Sequence, residues 1–235
     1  MAEAAEQVLV AWSGGKDSAL ALRAVLADPT LAVEALLTTV TREYDRISVH
    51  GVRRSLLHAQ VAALGLPLVE MEIPASCDNA TYEASLSRAL AGARARNDRV
   101  RRCVFGDLFL EDVRRYREER LATLDMQPIF PLWGRDTGEL AREFIDDGFR
   151  AIVVCVDTTL LPATFSGREY DASFLAELPR DADPCGENGE FHTFVYDGPL
   201  FRERIQFTIG ETVVRDQRFV YTDLVPHDPT PGSSL

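Results

Sequence analysis

The chain has 235 residues, 46% of them apolar, and a formal net charge of −12. That length carries one large domain or a larger and a smaller one, and that apolar share supplies a core and argues against wholesale disorder. An acidic surface repels a phosphate backbone, so a general RNA or DNA binder is disfavoured.

Taken in order, residues 8–12 (Val-Leu-Val-Ala-Trp) read as a strand and 16–27 as a helix. Between them lies Ser13-Gly14-Gly15-Lys16-Asp17-Ser18. A helix start offers unpaired N–H groups and a partial positive charge, and two glycines let a phosphate approach without a Cβ in the way. Ser13, Ser18 and Lys16 add hydroxyls and a cation. The spacing is neither G-x-x-x-x-G-K-[ST] nor G-x-G-x-x-G.

The segment 33–40 reads as the next strand, 52–64 as a helix stopped by Gly65, and 68–73 as a strand closed by Pro74. A helix over 79–95 precedes a strand over 102–105, which ends at Gly106-Asp107, and 112–124 reads as a helix again. This alternation predicts an α/β fold: a doubly wound parallel sheet with helices on both faces. At Pro128-Ile129-Phe130-Pro131 the rhythm breaks. A helix over 139–147 follows, capped by Asp136 and Thr137 and stopped by Gly148; then come a buried strand over 151–156 and a short helix over 171–178. The loop 179–199 is dense in Pro, Gly, Asp and Glu, and 205–209 and 212–221 read as a hairpin turning at Gly210-Glu211. The domains expected are a nucleotide-binding unit over 1–130, a smaller α+β substrate unit over 131–225, and a flexible tail over 226–235.

No stretch approaches the roughly 20 apolar residues of a membrane span, and the first six residues lack the basic start of a signal peptide. Cys77, Cys103, Cys155 and Cys185 form no C-x-x-C pair, which argues against zinc and iron–sulfur sites and fits a reduced cytoplasm. The arginines from Arg94 to Arg120 read as a solvated helix face paired with Glu111, Glu118 and Glu119.

In an open parallel sheet, ligands gather at the carboxyl ends of the strands. Three segments fall there: the 13–18 loop; Gly106-Asp107, where the carboxylate suits Mg²⁺, a substrate amine or the cap of the next helix; and 39–51, where His50 suits a phosphate or a substrate oxygen. A fourth, Cys185-Gly186-Glu187-Asn188-Gly189-Glu190-Phe191-His192-Thr193, packs two carboxylates, a histidine and a hydroxyl between glycines. Such carboxylates hold an amine or ammonium, or act as a base. A glutaminase role for Cys185 is disfavoured, because no amidotransferase domain fits the remaining length.

The Ser13–Ser18 string resembles the pyrophosphate loop of the ATP pyrophosphatase, or adenine nucleotide alpha hydrolase, superfamily. Together with His50-Gly51, Gly106-Asp107, Pro131-Leu132-Trp133, Gly148-Phe149 and the 185–201 stretch, it makes the chain similar to the diphthine–ammonia ligase (diphthamide synthase) family over most of its length. The resemblance implies a HUP-like fold and a reaction in which ATP adenylates the carboxylate of diphthine, a modified histidine of elongation factor 2. Ammonia then displaces AMP to leave an amide.

It further implies that Ser13, Gly14, Gly15, Lys16, Asp17 and Ser18 hold the phosphates, with His50, Gly106 and Asp107 beside them. Mg²⁺ would reach Asp17 through the phosphates. Glu187, Asn188, Gly189, Glu190, His192 and Thr193 would form the acceptor or ammonia site, and Lys16, Asp17, Glu187 and Glu190 would be catalytic. Glu187 and Glu190 would either hold the trimethylammonium group or accept a proton from ammonium. Asn188 replaces a glycine common in eukaryotic and archaeal relatives, and asparagine tolerates a left-handed turn. Two other readings are a tRNA-modifying enzyme of the same superfamily and a nucleotide sensor without turnover. A homodimer through the 205–221 hairpin is a further expectation.

Overall fold

The computed structural model describes residues 5–227. Its first half is built on a mostly parallel sheet. Strand β1 (Glu6–Ala11) leads into α1 (Lys16–Ala27), followed by β2 (Leu31–Thr41), the short β3 (Arg46–Ile47), α2 (Arg54–Leu64), β4 (Leu68–Ile73), α3 (Asn79–Arg96), β5 (Arg102–Val104), α4 (Glu111–Ala122) and β6 (Gln127–Ile129). The parallel strands run β4-β2-β1-β5-β6, and β3 pairs antiparallel with the end of β2. Chain order therefore reverses between β1 and β5, and a ligand crevice opens at such a switch point.

Side chains alternate across this sheet as the strand period of two requires. Val8, Val10 and Trp12 join one core with Leu20 and Leu22 of α1 and Leu56 and Leu57 of α2. Leu9, Leu37 and Met71 face the other way, onto Leu90 of α3 and Leu121 of α4. Helix α2 stops where Gly65 turns left-handed (φ 66°), freely for a residue without Cβ.

The second half comprises α5 (Thr137–Asp146), β7 (Arg150–Asp157), α6 (Ala172–Glu177), β8 (Phe191–Asp197), β9 (Phe207–Arg215) and β10 (Phe219–Pro226). Both helices start as their sequences announce, with Asp136 and Asp171 accepting the N–H of Glu139 and Phe174 at 2.8 Å. The strands form an antiparallel sheet ordered β8-β7-β10-β9. Phe144, Val153 and Phe194 of this half belong to the same core as Val8 and Leu56, so β8 sits directly against α1.

Three expectations need correction. The Pro128 segment is not a break: it is β6, the fifth parallel strand, and a proline is tolerated there because the strand lies at the sheet edge. The hairpin does not turn at Gly210-Glu211, which lie inside β9. It turns at Asp216-Gln217, both left-handed (φ 51° and 54°), with Arg218 N–H closing on Arg215 O at 3.0 Å. Of the expected tail, Pro226 closes β10, and 228–235 lies outside the described residues.

Candidate active site

A cavity of about 590 Å³ opens at the carboxyl ends of β1, β2, β4 and β5. Ser13, Lys16, Asp17 and Ser18 line its floor, His50 and Val49 one wall, Gly106 and Asp107 another, and Glu187, Gly189, His192 and Thr193 its roof. Segments more than 170 residues apart are thus brought together by the packing of β8 on α1.

The 13–18 loop is fixed from below. Gly14 has φ 79°, and a Cβ there would lie 2.7 Å from Oε1 of Gln60. Gly106 is equally constrained: a Cβ would lie 2.8 Å from the backbone C and O of Asp17, so the end of β5 touches the start of α1. Helix α1 has no cap of its own at Gly15; the Thr193 hydroxyl accepts the Lys16 N–H at 3.0 Å. Among the described residues, the N–H groups of Asp17 and Ser18 in that first turn find no partner elsewhere in the fold.

Lys16 is the one lysine in the sequence. It is 2% exposed, and its ammonium donates to both Asp17 oxygens (2.9 and 2.8 Å) and to the Cys185 carbonyl. The faces of Phe191 and Tyr170 lie 5.5 and 5.9 Å from it. Burial opposes its charge, but attraction to Asp17, Cys185 and Glu187 outweighs burial and holds its pKa above the ordinary value. At Asp17 the balance is the reverse: burial wins, and the carboxyl is pushed up in spite of Lys16.

Glu187 accepts the Leu108 N–H at 2.7 Å. Burial raises its carboxyl to about 7, helped by repulsion from Asp17 and Asp107 and opposed by the Leu108 hydrogen bond and Lys16. A carboxyl poised there exchanges protons near neutral pH. His50 and His192 lie ring against ring, tilted by 38° with centroids 4.6 Å apart, and His50 Nδ1 lies 3.2 Å from Thr193 O. Burial lowers His50 to about 4 and His192 well below the usual range, so both rings are neutral and the cavity gains no cation from them.

Other expected residues are placed differently. Glu190 does not line the cavity: it is 3% exposed, and its Oε1 accepts from Asp183 N–H (2.9 Å) and Asn188 Nδ2 (3.0 Å), so it braces its own loop. Asn188 needs no left-handed turn, because the positive φ values fall on Gly186 (69°) and Gly189 (89°). Asp107 does not cap α4, whose N-cap is Leu110 without a side-chain bond; it pairs with Arg117 through two bonds of 2.6 and 3.1 Å. Cys185 is packed in the core with its thiol on Thr137 O, and burial pushes it up to about 12, which makes it no nucleophile.

Residues beyond the sequence expectation also line the cavity. Arg117 lies over Phe105 at 4.3 Å, and Arg120 pairs with Glu83 at 2.9 Å. Tyr82 and Tyr116 stand beside them. The arginine stretch is thus only partly a solvated face: Arg114 does pair with Glu118, at 2.8 Å, but Arg117 and Arg120 turn inward. The signal was the helical spacing of Tyr116, Arg117, Arg120 and Leu121, which puts all four on one side of α4. Among the described residues, no helix is long and apolar enough to cross a membrane.

A doubly wound α/β unit with a glycine turn at its switch point, beside a smaller antiparallel sheet, defines a fold of the HUP-like kind. The family described as "Diphthamide synthase N-terminal domain" matches residues 6–125, and that described as "Diphthamide synthase C-terminal domain" matches 136–222. The chain belongs to the diphthamide synthase family. Among curated relatives, a diphthine–ammonia ligase of Danio rerio is 37% identical over 111 residues, 45% of this chain and 44% of the relative. The one of Homo sapiens is 34% identical over 111 residues, 45% of this chain and 42% of the relative. That of Schizosaccharomyces pombe is 31% identical over 94 residues, 38% of this chain and 16% of the relative. The matched stretch thus spans less than half the length of each of these relatives.

Proposed function

We propose that this chain is an ATP-dependent, AMP-forming ligase that adenylates a carboxylate and amidates it with ammonia. Residues 1–130 would form the ATP-binding unit and 131–225 the smaller substrate unit. One observation carries the reading: Lys16 of the glycine loop and Glu187 of the 185–190 loop line one cavity, and Lys16 is tied to both Asp17 and the Cys185 carbonyl. A cation for a departing pyrophosphate and a proton acceptor for an incoming amine therefore share one chamber.

In the first step an acceptor carboxylate oxygen would bond to the α-phosphorus of ATP, and the bond to the β-phosphate oxygen would break. The loop from Ser13 to Ser18 would hold the phosphates, with Lys16 offsetting the charge that grows on the leaving pyrophosphate. Asp17 presents a partly exposed oxygen donor to the cavity, which fits Mg²⁺ held through one carboxylate and the phosphates; the ion would neutralise phosphate charge. In the second step ammonia would attack the acyl carbon and AMP would leave with its electron pair. Glu187 would take the proton given up by ammonium, while Glu190 would keep the 183–190 loop in shape. His50, Gly106 and Asp107 would border the nucleotide, and His192 and Thr193 the acceptor side.

The relatives' name makes diphthine, and so elongation factor 2, the first acceptor to test. Four free cysteines fit a cytoplasmic setting, and β9, which lies at the sheet edge among the described residues with Ile209 and Val214 exposed, offers a surface for a homodimer. Lys16→Ala tests the reading. AMP formation should fall by at least about 100-fold, as when one electrostatic stabiliser is removed, far more than the stability lost with the buried ammonium accounts for. Unchanged turnover would refute the role of the loop, and tight ATP binding without AMP from the unaltered chain would favour a sensor.

A further inference from the structure

Gln60 lies in the middle of α2, is 0% exposed, and belongs to none of the segments so far placed at the site. Its amide is bonded at both ends. Nε2 donates to Gly14 O (3.0 Å) and to Val195 O (2.7 Å), while Oε1 accepts the indole N–H of Trp12 (3.0 Å). The indole bond fixes which end of the amide faces the carbonyls, so the NH₂ group is the only one that fits there. Gly14 O accepts a second bond, from the Val195 N–H at 2.8 Å. Gly14 itself fits against this amide only because it has no Cβ.

We infer that Gln60 is a positioning residue for phosphate binding. In a trans peptide the carbonyl of one residue and the N–H of the next point in opposite directions. Holding Gly14 O toward α2 and β8 therefore turns the Gly15 N–H the other way. It faces the Ser13 hydroxyl at 3.3 Å, which lies 3.4 Å from the Ser18 hydroxyl, and both serines line the cavity. Without the amide, Gly14 O keeps a single bond, and a glycine peptide with φ 79° is free to rotate. The Gly15 N–H then leaves the row of donors at the start of α1. The same amide ties the loop to Val195, two residues beyond Thr193, so it also sets the distance between the phosphate floor and the β8 roof.

This inference rests on the nucleotide reading, and binding measurements separate the two. The probes are ATP, inorganic pyrophosphate and adenosine, titrated calorimetrically onto the full chain and onto Gln60→Met, which keeps the volume and removes the amide. ATP and pyrophosphate should bind about tenfold or more weakly to the variant, the size expected for losing one aligned donor to a charged group. Adenosine should hold within about twofold. Trp12→Phe, which frees the amide to flip, should weaken pyrophosphate in the same direction by less, and it keeps the inference testable should Gln60→Met fail to fold. Parallel weakening of adenosine and pyrophosphate would reduce Gln60 to a packing residue and overturn the inference. Unchanged pyrophosphate affinity in a folded variant would overturn it as well. An unaltered chain that binds neither ATP nor pyrophosphate would bring down the nucleotide reading and the inference with it.

Discussion

Gly106→Ala isolates a contact on which the cavity depends. The new Cβ would lie 2.8 Å from two backbone atoms of Asp17, against an ordinary contact of 3.4 Å or more, so β5 and α1 must part by about 0.6 Å. Gly106 has no positive φ, so the cost is steric alone, and backbone atoms cannot swing aside as a side chain can. Overpacking of this kind costs about 1–3 kcal/mol, or roughly 2–4 °C of melting temperature per kcal/mol in a chain of this size. The displaced atoms carry Asp17 and the first turn of α1, and misplacing a reacting group by about 1 Å costs on the order of 100-fold in rate. Calorimetric melting and AMP release should therefore fall together, with turnover down about tenfold or more. Gly92→Ala is the control, because its Cβ meets nothing within 4 Å inside α3; it should leave turnover alone and gain about 0.5–1 kcal/mol. Wild-type melting and turnover in Gly106→Ala would refute the contact as a determinant of the site.

Two further outcomes follow from charge. Glu187 must be deprotonated to accept a proton and its carboxyl sits at about 7, so amide formation should rise with pH through that value; Glu187→Gln should lose this limb and most turnover, and a pH profile unaltered in the variant would exclude Glu187 as the base. Asp223 clamps the His50-bearing loop to β10 through Arg46 (2.8 Å) and Arg53 (2.6 Å), and although burial works against its charge, these arginines hold its pKa below the ordinary value. Asp223→Ala should cost about 1 kcal/mol, discounted for the partly exposed arginines. A lowered folded-state pKa gives stability that is present above the ordinary aspartate range and lost as pH falls through the folded value. The gap between wild type and variant should therefore close in acid, and a gap constant between pH 7 and about 3 would contradict the clamp.

Local signals were legible wherever chemistry and geometry coincide within a few residues. The run from Val8 to Ser18 holds a strand, two glycines and a helix start in sequence, and Asp136, Asp171 and Gly65 mark helix ends that the fold keeps. β6 was missed because three residues containing a proline carry no period, and its strand character comes only from pairing with β5. The hairpin turn was misplaced because Gly210 looks like a turn residue, whereas Asp216 and Gln217 adopt left-handed backbone without glycine. Within the site, local spacing could not tell Glu187 from Glu190. The difference lies in Leu108, whose N–H reaches Glu187 across 79 positions, and in Asp183 and Asn188, which draw Glu190 into its own loop. Gln60 was silent for the same reason: its partners Gly14 and Val195 meet it only once the sheet and its helices are assembled.

The central claim is that one cavity joins adenylation to amidation. The most direct measurement incubates the chain with ATP, Mg²⁺ and ammonium across carboxylate acceptors, diphthine-bearing elongation factor 2 first, and follows AMP, pyrophosphate and amide together. Equal amounts of AMP, pyrophosphate and amide, all dependent on the acceptor, are the expected result. ADP and phosphate in their place, or an amide formed without AMP, would contradict it.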